Sequence, residues 1–452
     1  MIGIRTTGNA TLIAYDGKPV LVTDPWLGEE DAAYFGSWNL AYKISEDIKI
    51  DIQSAEFVWF SHGHPDHLNP SSYKKFFGKR ILLPNHVGGR ICMGLREAGF
   101  DVSVLPDRKW IEISSNIKVF CITTIIQDAV LLIDVNGKLF VNLNDAGTRG
   151  CTTTIRNIVK QYKDSYLLSL SGYGDADMIN FYDENGSFVE PLAANNKLVG
   201  NQLSLVARSI GTNNVIPFSS FHQYQRTDSQ WAKKYVTPIE AYKNGFDFDN
   251  LNFIEPFVSM DCRSGENYSE KLEEIDLPVF EPKEFGDCWS EELIKGDLDL
   301  IDSYFRRKDP VKKFLSFINF RVGGKDNIIK LKGTKGKGIT FEVPRGSLMT
   351  AINEEIFDDL LIGNFMKTTL HDMRDLYEGD FAIYVAKYGD NGRAQSFEEI
   401  REYQQLYYKR IGITRFYEAF LNSVAGVSKR VLPNNRESIW FLRAKKAYHF
   451  LK

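Results

Sequence analysis

The five cysteines (Cys92, Cys121, Cys151, Cys262 and Cys288) are scattered, odd in number and never arranged as a Cys-x-x-Cys pair. That argues against a thiolate metal site and fits reduced thiols packed as small apolar groups better than a disulfide framework. No apolar run approaches the roughly 18–20 residues that span a bilayer. The opening MIGIRTTGNATLIAYDG has no basic stretch leading into an apolar one, so no secretion signal is expected. A cytoplasmic protein with no membrane partner is the expectation. An excess of one charge is missing too: 55 Lys and Arg stand against 59 Asp and Glu. Nucleic acid is therefore not an expected partner. Internal repeats and low-complexity tracts are absent. At 452 residues the chain is too long for one ordinary core, so two domains are expected.

What the chain does have is Ser61-His62-Gly63-His64-Pro65-Asp66-His67, where three of its seven histidines fall within six residues. Phe57-Val58-Trp59-Phe60 before it reads as a short buried strand, and Asn69-Pro70 after it as a helix start. Imidazoles and a carboxylate projecting from one strand end suit Zn, Fe or Mn. A chance group of solvated histidines is the alternative, and four ligand-type residues so closely spaced argue against it.

Taken in order, residues 1–27 alternate as a hairpin about Asp16-Gly17. Asp24 after it caps a turn or lies near the metals. The aromatic stretch from Gly28 to Glu46 is long enough to be a loop over the site. Strands and helices then alternate, with an all-β run from Ile111 to Leu143 broken at Asn116 and Asn136-Gly137. Helices are expected at Ile91–Ala98, Thr153–Tyr162 and Lys197–Ile210, and Gly172 to Asp177 reads as a flexible acidic loop. Polar residues recur at strand ends: the His62 cluster, Asp145 and His222. The pattern is a layered α/β sandwich with the site at one edge. Composition changes near residue 255. Residues 1–255 are read as one domain, 256–296 as a linker or wrapping arm, and 297–452 as a separate α+β domain. In that last part Leu348–Leu361 and Glu398–Tyr408 read as helices, and His371 and His449 as structural histidines in helical segments.

Here the residues resemble a known family. His62-x-His64-x-Asp66-His67 is similar to the signature of the metallo-β-lactamase fold superfamily. Gly8-Asn9-Ala10-Thr11, Thr23-Asp24-Pro25-Trp26, Asp145 and His222 match in order, over residues 1 to about 240. A nearer likeness is to the non-Rieske part of CMP-N-acetylneuraminate hydroxylase and its relatives. It is carried by Gln127–Ile133, Asn142–Arg149, Ser171–Ala176 and Phe357–Gly363. The resemblance implies an αββα sandwich with two divalent metals, zinc first and iron or manganese as alternatives. His62 and His64 would hold one metal, Asp66, His67 and His222 the other, and Asp145 would bridge them. The family pattern also expects a third histidine at the first site. Thr124 stands nearest to that place, with Gln127 or Asp128 as substitutes. No Cys-x-His…Cys-x-x-His set exists in this chain, so a Rieske cluster is not expected in it.

The implied activity is hydrolysis of an ester, lactone or phosphodiester in a small polar, sugar- or nucleotide-like metabolite, with Asp66 orienting the attacking water. One alternative is a non-haem iron oxygenase fed by a separate electron-transfer protein, since two imidazoles and a carboxylate leave coordination positions open. A non-catalytic metal-binding module is the other. His86, beside Val87-Gly88-Gly89, is either an anion contact or a capping histidine. Arg149 and Arg226 are either anion contacts or solvated. Self-association is left open.

Overall fold

The computed structural model describes residues 1–412, except 29, 171–177, 196–197 and 377–380. The acidic loop at 172–177 and His449 therefore lie outside the described residues. An eight-stranded sheet runs in the order Asn267–Ser269, Val258–Asp261, Ile2–Thr7, Thr11–Asp16, Lys18–Thr23, Phe57–Trp59, Arg80–Pro84 and Asp101–Leu105. The four strands from Lys18–Thr23 onward are parallel. A seven-stranded sheet runs Asn252–Phe253, Asn214–Pro217, Ser165–Ser169, Lys138–Asn144, Ala129–Val135, Ile117–Thr123 and Trp110–Glu112. Both turns expected from sequence close as tight hairpins. Gly17, Asn136 and Gly137 all have positive φ, as such turns require.

Alternation along these strands builds three layers of apolar contact. Ile4, Leu12, Leu21 and Trp59 of the first sheet meet Leu131, Ile133, Phe140 and Ile216 of the second. Their neighbours Ile13, Val22, Val58 and Ile81 point the other way, onto Ile48 and Ile52 of the Glu46–Ser54 helix and Leu95 of the Arg90–Glu97 helix. Leu132, Val141, Leu167 and Val215 pack on Ile155 and Val159 of the Thr152–Val159 helix and Leu203 and Ile210 of the Val199–Ile210 helix. Strands apolar on both faces must be covered on both. The result is a helix–sheet–sheet–helix sandwich, the layering that the resemblance implies.

Close approach at the edge of the first sheet depends on Gly3. A Cβ there would sit 1.9 Å from the Met260 carbonyl oxygen, across the pairing of Gly3 with Asp261. Gly3→Ala is expected to force Val258–Asp261 away from the sheet and destabilise the fold by about 1–3 kcal/mol, read as a lower urea midpoint. An unchanged midpoint would mean the edge yields freely.

A third sheet of six strands contains Leu315–Val322, Lys325–Lys330, Thr334–Glu342 and Lys367–His371. It also takes in Phe181–Tyr182 and Phe188–Val189, which pair beside Lys367–His371. His371 thus ends a strand rather than sitting in a helix, with its Nε2 2.9 Å from Thr340 Oγ1. The helix expected over Leu348–Leu361 is two: Arg345–Asn353 and Phe357–Ile362. Glu355, at φ 55°, breaks it. The break re-aims the second helix toward the histidine cluster. No helix among the described residues is long and apolar enough to cross a membrane.

Candidate metal centre

The site forms where the carboxyl ends of parallel strands from both sheets meet, the usual place for a ligand in open α/β sheets. Lys18–Thr23 and Phe57–Trp59 run side by side, so Asp24 and Ser61 emerge together. Asp24 is fully buried at φ 42°. Its Oδ1 accepts the Ser61 N–H (2.8 Å), and its Oδ2 accepts the Asn144 side-chain amide (2.7 Å). Burial raises its pKa, against the pull of His67. It braces the loop and the second sheet together. In that second sheet Lys138–Asn144 and Asn214–Pro217 end at the same level. Asn144, Ser219 and Ser220 all have positive φ, and these turns deliver Asp145 and His222.

His62, His64 and Asp145 each offer a donor atom, and the three atoms lie within 4.8 Å of one another. His62 Nδ1 is 2.8 Å from Ser61 Oγ. His67, wholly buried, has its Nε2 3.3 Å from Asp66 Oδ2 and 3.4 Å from Asp145 Oδ2. Asp145 therefore stands between the His62–His64 pair and the Asp66–His67 pair. Asp66 accepts from Asn9 Nδ2 (2.9 Å) and from the Tyr34 hydroxyl (2.6 Å). Asn9 also takes the Phe221 N–H at 2.9 Å, tying Asp66 to the loop that presents His222. The His222 ring is stacked on Trp38, with centroids 3.5 Å apart. Tyr34 and Trp38 both belong to the long aromatic stretch, which lies against the site and is not loop throughout: Trp38–Leu40 is a short strand antiparallel to His222–Tyr224.

Charge in the cluster is sharply divided. Burial and the neighbouring imidazoles hold His62 well below the usual histidine range. Burial takes His222 down to about 4, against the pull of Asp66 and Asp145. Burial also lowers His67, but Asp66 and Asp145 outweigh it and raise it well above that range. For Asp66, His67 and His64 outweigh burial and hold the carboxyl low.

The donor set fits a cation. His62 Nε2, His64 Nδ1, His67 Nε2, His222 Nδ1 and Asp128 Oδ1 are all buried without a hydrogen-bond partner. Each such orphan costs about 1–3 kcal/mol, and a cation held by these residues would supply the partner each lacks. Of Thr124, Gln127 and Asp128, Asp128 is the one that reaches the cluster, on the Nδ1 side of His62 and away from its unpartnered Nε2. Its Oδ1 lies 3.6 Å from His62 Nδ1. Gln127 is turned away, donating to the Val87 carbonyl and the Tyr403 hydroxyl. Thr124 bonds back to the Asp128 carbonyl.

The three residues weighed as anion contacts fare differently. His86 is tied to the cluster's own backbone, its Nε2 3.1 Å from the Ser61 carbonyl oxygen. Arg149 is exposed on the turn after Asp145. Arg226 is neither solvated nor open to an anion, a correction to the sequence reading. It is buried, and its guanidinium is taken up by Asp228, Asp287 and the Phe35 carbonyl. Sequence reasoning also missed Asp358, Asp359 and Lys387, which approach His64 from the far end of the chain. The signal was present in Phe357–Gly363, one of the stretches carrying the hydroxylase likeness. Beside His64 a cavity of about 460 Å³ is lined by Gly63, Arg90, Ile91, Asp358 and Asp359. Burial, with Asp358 adding to it, pushes the Asp359 carboxyl up to about 7.

No family model matches the chain. Among curated proteins it is similar to the cytidine monophosphate-N-acetylneuraminic acid hydroxylase of Danio rerio, 21% identical over 338 residues, covering 68% of this chain and 54% of that one. It is similar also to the inactive human protein of that name, 25% identical over 138 residues, covering 28% of this chain and 27% of that one. The chain thus spans about half or less of the length of these relatives. Among solved structures it is similar to a metallo hydrolase from Ignicoccus hospitalis, with a TM-score of 0.38 and 13% identity, covering 60% of this chain and 99% of that one. The hydroxylase likeness read from the sequence recurs among these curated relatives.

Proposed function

We propose that the chain is a metal-dependent hydrolase of an ester, lactone or phosphodiester bond in a small polar metabolite. The observation that carries this is the meeting of His62, His64 and His67 at Asp145, with an unpartnered buried nitrogen on each of these imidazoles and on His222. His62, His64 and Asp145 would hold one divalent ion, and Asp66, His67 and His222 a second bridged through Asp145. Imidazole and carboxylate donors suit zinc, with manganese or iron as alternatives. Such ions supply a polarised substrate oxygen and a water whose pKa falls from about 15.7 towards about 7. The chain's own groups do the rest. Asp66, pinned from two sides by Asn9 and Tyr34, orients a water and accepts its proton. Asp24 and Asn144 keep the loop from relaxing. The cavity beside His64, lined by Arg90, Asp358 and Asp359 among others, has the size and polarity for a small metabolite.

Full-length protein stripped of metal and reloaded with zinc, manganese or iron tests this. Loaded protein is expected to cleave members of a panel of aryl esters, lactones and bis-p-nitrophenyl phosphate. Asp66→Asn is expected to lose about 10²–10⁴-fold in turnover, the worth of a positioned acid–base group. Filled sites with no turnover on any member of the panel would sink the hydrolase reading.

One observation supports a second reading. With no histidine in the third place the family pattern expects, His62, His64 and Asp145 form two imidazoles and a carboxylate, a set suited to non-haem iron. The relative's name, a hydroxylase, points the same way. Oxygen uptake by iron-loaded protein given a reductant, with the zinc form inert to the hydrolysis panel, would favour it.

A further inference from the structure

A second convergence of charge falls on the outer side of one ligand. His64 Nε2 lies 3.0 Å from Asp358 Oδ2 and 3.2 Å from Lys387 Nζ, while Lys387 Nζ lies 3.1 Å from the same Asp358 oxygen. The two side chains are 17% exposed. His64 Nδ1 is buried with no partner. A neutral imidazole has one N–H and one lone pair, and a carboxylate only accepts. Lys387, a donor only, would suit an Nε2 lone pair, but it already pairs with the same Asp358 oxygen; the assignment that satisfies both contacts of that carboxylate puts the proton on Nε2, directed at Asp358, and the lone pair on the unpartnered Nδ1.

We propose that Asp358 and Lys387 are positioning residues for the His64 ligand. Asp358 fixes the tautomer and ring so that Nδ1 is the nitrogen left to bind a metal, and Lys387 holds Asp358 in that orientation. This rests on the reading that the cluster binds a metal. A carboxylate behind a ligating histidine both orients it and raises its basicity.

Both residues stand on rigid pieces rather than on a loop. The break at Glu355 starts the Phe357–Ile362 helix, which carries Asp358. Lys387 lies on the π-helical segment Ile383–Asn391, a geometry found in short stretches and often at functional sites. Asp390 of that segment is buried. It accepts from the Tyr304 hydroxyl (2.6 Å), from Lys308 Nζ (2.9 Å) and from the Phe357 N–H (3.4 Å). Phe357 is the first residue of the helix bearing Asp358. The Asp390 carboxylate thus locks the two pieces together and sets the distance between Asp358 and Lys387.

The test uses full-length Asp358→Ala, Asp358→Asn and Lys387→Met, with zinc affinity measured against a chromophoric chelator. Cobalt-substituted protein adds a second readout, the hyperfine-shifted exchangeable imidazole N–H resonances in proton spectra. Asp358→Ala is expected to bind zinc about 10–100-fold more weakly and to lose or shift one exchangeable resonance. Its metal-free melting temperature is recorded beside these, because the alanine also takes the Asp358 carboxylate from Lys387. Asp358→Asn, whose amide oxygen still accepts from Nε2–H, should recover part of the affinity and restore the resonance. Lys387→Met should lose less, in the same direction. If Asp358→Ala does not fold, the asparagine and Lys387 variants carry the test. Tight zinc binding by the native chain, matched within about twofold by each variant with every resonance in place, overturns this proposal and leaves the metal reading standing. A native chain that takes up no metal overturns both.

Discussion

Replacing His62 by alanine is expected to empty most of the metal from the site and to lower turnover by at least about 10²–10³-fold, the range lost when one charge-stabilising group is removed from an active centre. Of the four imidazoles, His62 has the least structural work to replace. Its Nδ1 meets only Ser61 Oγ and the edge of Asp128, and its Nε2 has no partner. The alanine removes one of three donors that lie within 4.8 Å of one another, leaving His64 and Asp145 to hold an ion between them. Metal per chain after dialysis, by plasma mass spectrometry, is the direct measurement. His371→Ala is the control, because that ring sits beside Thr340 in the third sheet and should change neither metal nor turnover. Metal content in His62→Ala equal to the native protein would place the ion elsewhere and undo the assignment of the cluster.

Half of this centre was legible because it is contiguous. His62, His64, Asp66 and His67 lie on one turn, so their spacing alone announces a ligand set. Asp145 and His222 were reachable through strand ends and family resemblance. Lys387 was not, and the resemblance that covers Asp358 gave it no role, since the two meet His64 across 323 and 294 residues of chain. Their arrival depends on a helix break at Glu355 that nothing local marks, as neither Gly nor Pro stands between Ser347 and Ile362. The same limit applies to Phe181–Tyr182 and Phe188–Val189. Two-residue strands are too short to show a period, and only their partner Lys367–His371 makes them strands. Periodicity did find the sandwich, because its strands alternate over seven residues between two buried faces.

Arg226 was misread for a related reason: its second carboxylate, Asp287, lies 61 residues away. Arg226→Ala is expected to destabilise the chain by about 3–5 kcal/mol, because breaking a buried pair strands its partner's charge. The guanidinium donates Nε to Asp228 Oδ1 (3.0 Å), Nη2 to Asp228 Oδ2 (2.8 Å), and Nη1 to both Asp287 Oδ2 and the Phe35 carbonyl (2.8 Å each). It also lies 4.0 Å from the centre of the Phe365 ring. Asp287 in turn accepts the N–H and hydroxyl of Ser347. One fork therefore joins the aromatic loop, the segment after His222, the 256–296 stretch and the Arg345–Asn353 helix. Lysine keeps the charge but loses the planar fork, so Arg226→Lys should fall between alanine and native. The measurement is the urea midpoint and slope, with metal content of the folded protein as the companion. Phe35 adjoins Tyr34, whose hydroxyl pins Asp66, so lost turnover should follow lost stability and not precede it. A variant as stable as the native chain but with a raised KM would return Arg226 to the role of an anion contact.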